Sequence, residues 1–75
     1  MKEAEIIREL LEGDSDFREL YYEHRKLDDA VAEMEKKGLL TTDEEMELKM
    51  LKRKKLVLKD KMEAKIRNLR RKNTI

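Results

Sequence analysis

Two stretches of this chain repeat an apolar residue in alternating steps of three and four. That spacing dictates a helix with a single adhesive edge. The first stripe is Phe17, Leu20, His24, Leu27, Val31 and Met34; the second is Leu48, Leu51, Lys55, Leu58, Met62 and Leu69. Lys65 breaks the second phase and Ile66 beside it takes over, as a 3.6-residue helix drifts against a 3.5-residue repeat. Between the stripes, "EKKGLLTTDEE" stops one helix at Gly38 and starts another at Thr41 or Thr42. Thr42 with Glu45 fits the Thr-x-x-Glu capping box, and Asp43, Glu44 and Glu45 suit a positive helix N-terminus. A connection of about five residues makes the two helices run antiparallel as an αα-hairpin. At 1.5 Å per residue they span roughly 35 and 43 Å.

A shorter segment precedes them. "KEAEIIRELLE" puts Ile6, Ile7, Leu10 and Leu11 on one helical face. It is expected to end at Gly13, a natural helix C-terminal residue because it tolerates positive φ. Asp14, Ser15 or Asp16 then caps the next helix, and Asp16 with Glu19 resembles a capping box. The expected organisation over 1–75 is one helical-hairpin domain: a short helix at about 2–12, a helix at about 15–37, a turn at about 38–42 and a helix at about 43–71.

Composition bounds the chemistry. At 75 residues the chain buries a modest core, and small domains of this kind lean on disulfides, metals or partners. With no cysteine and one histidine, disulfides and thiolate sites are absent and a zinc site lacks ligands. Charged residues at 49% and aromatics at 4% also suit a disordered chain, but disordered segments rarely keep a heptad phase. Acidic residues interrupt the apolar region that a secretory leader requires in "MKEAEIIRELLEG". No apolar run approaches the roughly 20 residues needed to span a bilayer. A soluble, cytoplasmic protein is expected. Its charge is strongly polarised. Residues 1–47 hold 7 Lys/Arg against 16 Asp/Glu, a net of −9, and residues 48–75 hold 12 against 2, a net of +10. An acidic arm folded on a basic one follows from that pattern.

In an antiparallel hairpin, facing residues have numbers with a constant sum. Pairing Val31 with Leu48 sets that sum near 79. Phe17 then faces Met62, Leu20 lies near Leu58, and Leu27 lies near Leu51. His24 faces Lys55, so the one lapse in each stripe coincides, and Asp28 lies one helical turn from His24. These three residues are expected to form a polar layer that sets register at a cost in stability. Catalysis needs a cleft and a second chemical group, and a helical hairpin offers little concavity. No catalytic residue, cofactor, metal or small-molecule substrate is assigned.

"DFRELYYEHRKLDDAVAEME" followed by "LKMLKRKKLVLKDKM" resembles the small bacterial YdcH-like family. Phe17, Leu20, His24, Leu27 and Asp28 carry the first part of its pattern. Leu51, Lys52, Lys55, Leu56, Leu58, Lys59 and Asp60 carry the second. The resemblance covers residues 16 to about 62 and implies a helical hairpin without an assigned activity. The tail "KIRNLRRKNTI" is more basic than the family pattern.

Met50, Val57 and Ala64, seven apart, form a second apolar line on the last helix, with Leu56 beside it. One partner helix cannot cover both this line and the seam, so it is the expected self-association face. Tyr21 is expected to flank the core and Tyr22 to face outward. Arg67, Arg70, Arg71 and Lys72 suit the negative end of the helix dipole and offer a nucleic-acid contact. No base-stacking aromatic accompanies them, and the total charge is near zero. A membrane-surface helix lacks Trp or Phe anchors. The sequence therefore points to an all-α antiparallel hairpin with a short N-terminal helix, self-associating into a bundle. Its expected role is a non-enzymatic interaction module acting on a second copy or another protein, with nucleic-acid binding as the alternative.

Overall fold

The computed structural model describes residues 2–72. It contains three helices: α1 (Glu3–Gly13), α2 (Ser15–Lys36) and α3 (Thr42–Lys72). The fold is all-α, with no strand among the described residues. α2 and α3 pack side by side in a body 52 × 20 × 16 Å, and α1 lies across the open end of the pair.

The reversal between α2 and α3 is built from backbone chemistry that the local residues permit. The Lys37 N–H donates to the Met34 carbonyl at 3.3 Å and the Gly38 N–H to the Glu35 carbonyl at 3.4 Å, closing the last turn of α2. Gly38 then takes φ 78°, a left-handed geometry that costs side-chain-bearing residues about 1 kcal/mol. α3 opens on a reciprocal capping box one residue earlier than Thr42 and Glu45 suggest. The Glu44 N–H donates to Thr41 Oγ1 at 3.2 Å, and the Thr41 N–H donates to Glu44 Oε1 at 3.1 Å. Lys37 closes the turn with an ion pair to Glu44 at 3.0 Å.

The α1–α2 junction falls where expected, with α1 ending at Gly13 and Asp14 capping α2, but it turns without a positive φ. Gly13 is helical, without positive φ, and Asp14 alone turns the chain, at φ −126° and ψ 105°. Asp14 is the cap of α2: its Oδ1 accepts from the Phe17 N–H at 3.1 Å. Its Oδ2 pairs with Lys65 Nζ of α3 at 2.9 Å. One carboxylate thereby caps α2 and ties the corner to α3.

Burial follows the number of layers. Along the two-helix stretch, Leu27, Leu48, Leu51 and Leu58 are only partly buried, because a single neighbour covers about half of a helix surface. Val31 and Met34 are buried near the turn. At the open end α1 adds a third layer, and the main core forms there from Ile6, Leu10, Phe17, Met62 and Ile66. Ile6 and Phe17, at 0% and 1% exposure, are the most enclosed large side chains described. Burial of this kind contributes about 1.5–3 kcal/mol per side chain.

Candidate interaction surface

The middle of the hairpin holds the polar residues of both stripes. Lys55 Nζ of α3 lies 2.6 Å from Asp28 Oδ1 of α2, and His24 sits one turn before Asp28. The Lys55 ammonium holds the Asp28 carboxyl below its ordinary range, with His24 contributing in the same direction. The pair is half-exposed, with side-chain accessibilities of 34% and 50%, so water screens it. The His24 Nε2 atom is buried without a hydrogen-bond partner. His24, Asp28 and Lys55 line one open cleft with Tyr21 and Met62, walled by Ile7 of α1. A second ion pair, Lys52 with Glu35 at 3.2 Å, joins α2 to α3 nearer the turn.

At 100° per residue, Tyr21 and Asp28 occupy one flank of the α2 seam and Glu23 and Leu27 the other. The second flank forms an apolar groove between the helices. Leu27, Met50, Val57 and Leu58 line it, with Glu23 on its α2 side and Arg53 and Lys54 on its α3 side. Met50 and Val57 are 60% and 49% exposed. Ala64 continues the stripe of Met50 and Val57, exposed farther along the helix, whereas Leu56, 61% exposed, does not line this groove. Leu56 is 100° around the helix from Val57, which sends it to another flank. Met46, 61% exposed, precedes Met50 by one turn and extends the line towards the hairpin turn.

Tyr21 is partly buried with its ring 6.5 Å from that of Phe17, while Tyr22 is exposed. The basic end of α3 is interleaved with acids. Arg67 and Arg70 share a surface with Glu3 and Glu63, and Lys72 shares another with Asp14 and Lys65. Neither Arg70 nor Arg71 is without a partner. Among the described residues, no group of three or more His, Cys, Asp or Glu is placed to hold a metal ion. No described helix is long and apolar enough to cross a membrane.

The sequence stripes located the hairpin flanks but not the mark left by α1. Ile6 and Leu10 show amphipathic spacing and nothing that names their partners. The family model described as a protein of unknown function (DUF465) matches residues 17–66. The match takes in nearly all of α2 and most of α3 and leaves α1 outside. No curated protein and no solved structure matches the chain.

Proposed function

We propose, from the premise that this chain belongs to the DUF465 family of small YdcH-like helical proteins, that it is a non-enzymatic interaction module that pairs with a second copy through the groove between α2 and α3. The observation that carries this reading is an apolar groove with rims of opposite sign. Leu27, Met50, Val57 and Leu58 supply surface whose removal from water drives association, at about 25 cal/mol per Å². Glu23 borders it on α2, and Arg53 and Lys54 border it on α3. A two-fold axis running along such a groove, parallel to the helices, sets each acidic rim against the basic rim of the other copy, which makes the face self-complementary. The net of −9 over residues 1–47 and +10 over residues 48–75 extends that match along the helices.

His24, Asp28 and Lys55 have a structural part in this reading, holding the register that places the groove residues opposite one another. The mixture of acids among the cations of α3 gives nucleic acid no uniformly positive face to follow.

Sedimentation equilibrium from low to high micromolar concentration tests the proposal. The expected result is a dimer that weakens with salt, and Val57→Asp shifts it to monomer without changing helix content. A wild-type chain that stays monomeric across the whole range overturns it.

A further inference from the structure

We propose that Met50 is a redox modification site: a hydroperoxide converts its thioether to a sulfoxide, and the sulfoxide keeps the groove between α2 and α3 from closing on a second copy. The inference rests on the groove pairing proposed above and adds a control to it. The chain has no cysteine, so the thiolates that peroxides attack most readily are absent, and methionine carries all of its sulfur. The described methionines fall into two classes. Met34 and Met62 are each 9% exposed, the first near the turn and the second in the core with Phe17 and Ile66. Met46 and Met50, one turn apart on α3, are 61% and 60% exposed. Of the described methionines, Met50 alone lines the groove.

The Sδ lone pair attacks one oxygen of the peroxide, the O–O bond breaks, and that oxygen stays on sulfur. Sulfur loses two electrons, and hydrogen peroxide is reduced to water. A polar S=O group then stands where a soft apolar thioether stood. While the groove is open, water donates to the new oxygen. When a second copy closes the groove, Leu27, Val57 and Leu58 beside it have no hydrogen-bond donor in their side chains. The cations of the same wall, Arg53 and Lys54, are those that pairing commits to the acidic rim of the other copy. A buried acceptor without a donor therefore weakens pairing about tenfold or more. Met34 and Met62 meet peroxide only when the fold opens, so mild treatment modifies the face and spares the core. Pairing in turn covers Met50, so concentration and oxidant act against each other on one side chain. A dithiol-dependent sulfoxide reductase reverses the change, releasing the oxygen as water while its thiols form a disulfide.

Peptide-resolved mass spectrometry during hydrogen peroxide treatment, at concentrations below and above the pairing transition, reads the site. Below the transition, Met46 and Met50 should oxidise at similar rates, severalfold faster than Met34 and Met62. Above it, Met50 should be protected severalfold more than Met46, which is equally exposed but does not line the groove. Sedimentation equilibrium of the oxidised chain should show a dissociation constant raised about tenfold, with helix content unchanged. Met46→Leu chains should respond to peroxide as wild type does. Met50→Leu chains should keep, after treatment, whatever dissociation constant they had before it. Chains that pair equally well before and after oxidation, or a loss of pairing that persists in Met50→Leu, overturn the proposal and leave the groove reading standing. Untreated chains that stay monomeric at every concentration overturn both.

Discussion

Lys55 Nζ reaches from α3 to within 2.6 Å of Asp28 Oδ1 on α2, one turn beyond a histidine whose Nε2 is buried without a partner. Lys55 and His24 stand where the two leucine stripes would otherwise carry apolar residues, and Asp28 lies on the flank of the seam beside them. The two ion-pair members differ in environment from the imidazole beside them: the ion pair keeps half its surface in water, whereas the Nε2 atom has lost its water and gained no hydrogen bond. The cost of this layer therefore falls chiefly on His24.

That division predicts opposite outcomes for neighbouring substitutions. His24→Leu should stabilise the chain, because it removes a desolvated nitrogen and restores the stripe of Leu20 and Leu27. The gain should be about 1 kcal/mol, or roughly 5 °C in Tm for a domain of this size. Asp28→Ala should lower Tm by no more than a few degrees, since exposed pairs contribute little. Circular-dichroism melts of the two variants check this, and a His24→Leu chain that melts below wild type refutes it. The same substitution should blur register, read as broader line shapes in the amide spectrum.

The carboxylates that hold the corners set the acid limit of the fold. Asp28 is held below its ordinary pKa of 3.8 by the Lys55 hydrogen bond, and Asp14 below the same value by the Lys65 hydrogen bond. Glu44 is held below 4.5 by the Thr41 backbone N–H and then by Lys37. Each pKa is lower in the folded chain than in the unfolded one. The stabilisation is therefore complete above the ordinary values and disappears as pH falls through the folded ones. Tm should be flat from neutral pH to about 5 and drop below about 4. Lys65 behaves with the opposite sign. Its pKa is raised above 10.5 by Asp14, so its contribution is present below that value and fades only as pH climbs past the raised one. Melts across the pH range test both edges, and a Tm maximum in acid would contradict the assignment.

Asp14 combines two roles that substitution can separate. Asp14→Asn retains an oxygen that can accept from the Phe17 N–H and loses the charge paired with Lys65. Asp14→Ala loses both. The expected order of Tm is wild type, then Asn, then Ala, with the full span roughly 5 °C. If Asn and Ala prove equal, the cap contributes nothing and the ion pair holds the corner alone.

The hairpin was legible because steps of three and four leave no other regular structure for Phe17 to Met34 and Leu48 to Leu69. The coincidence of His24 with Lys55 followed from turn length and counting. Other features escaped for identifiable reasons. Thr41 and Thr42 are adjacent, as are Glu44 and Glu45, so two overlapping Thr-x-x-Glu patterns exist and only the backbone decides that the first is used. Asp14, Ser15 and Asp16 all suit a cap, and the choice of Asp14 depends on Lys65, 51 residues away. The docking site of α1 was not readable, because Ile6 and Leu10 specify an apolar face without specifying what covers it. The groove was half legible. The heptad line through Met50 and Val57 is real, but Leu56 turns away from it, and Leu27 and Leu58 join from the seam.

The two glycines should respond oppositely to the same change. Gly38 has φ 78°, where an alanine methyl group meets its own backbone; nothing else in the structure lies within 4 Å of the added carbon, so the penalty is conformational alone. Gly38→Ala should cost about 1 kcal/mol. Gly13 is helical, and its added methyl would likewise meet nothing within 4 Å. There alanine restricts the unfolded chain without straining the folded one, and Gly13→Ala should stabilise by about 0.5 kcal/mol. Urea titrations at equal slope resolve differences of this size. Loss of stability at Gly13 as well would mean that the corner before Asp14 needs a conformation outside the helical region, and the one-residue joint between α1 and α2 would have to be redrawn.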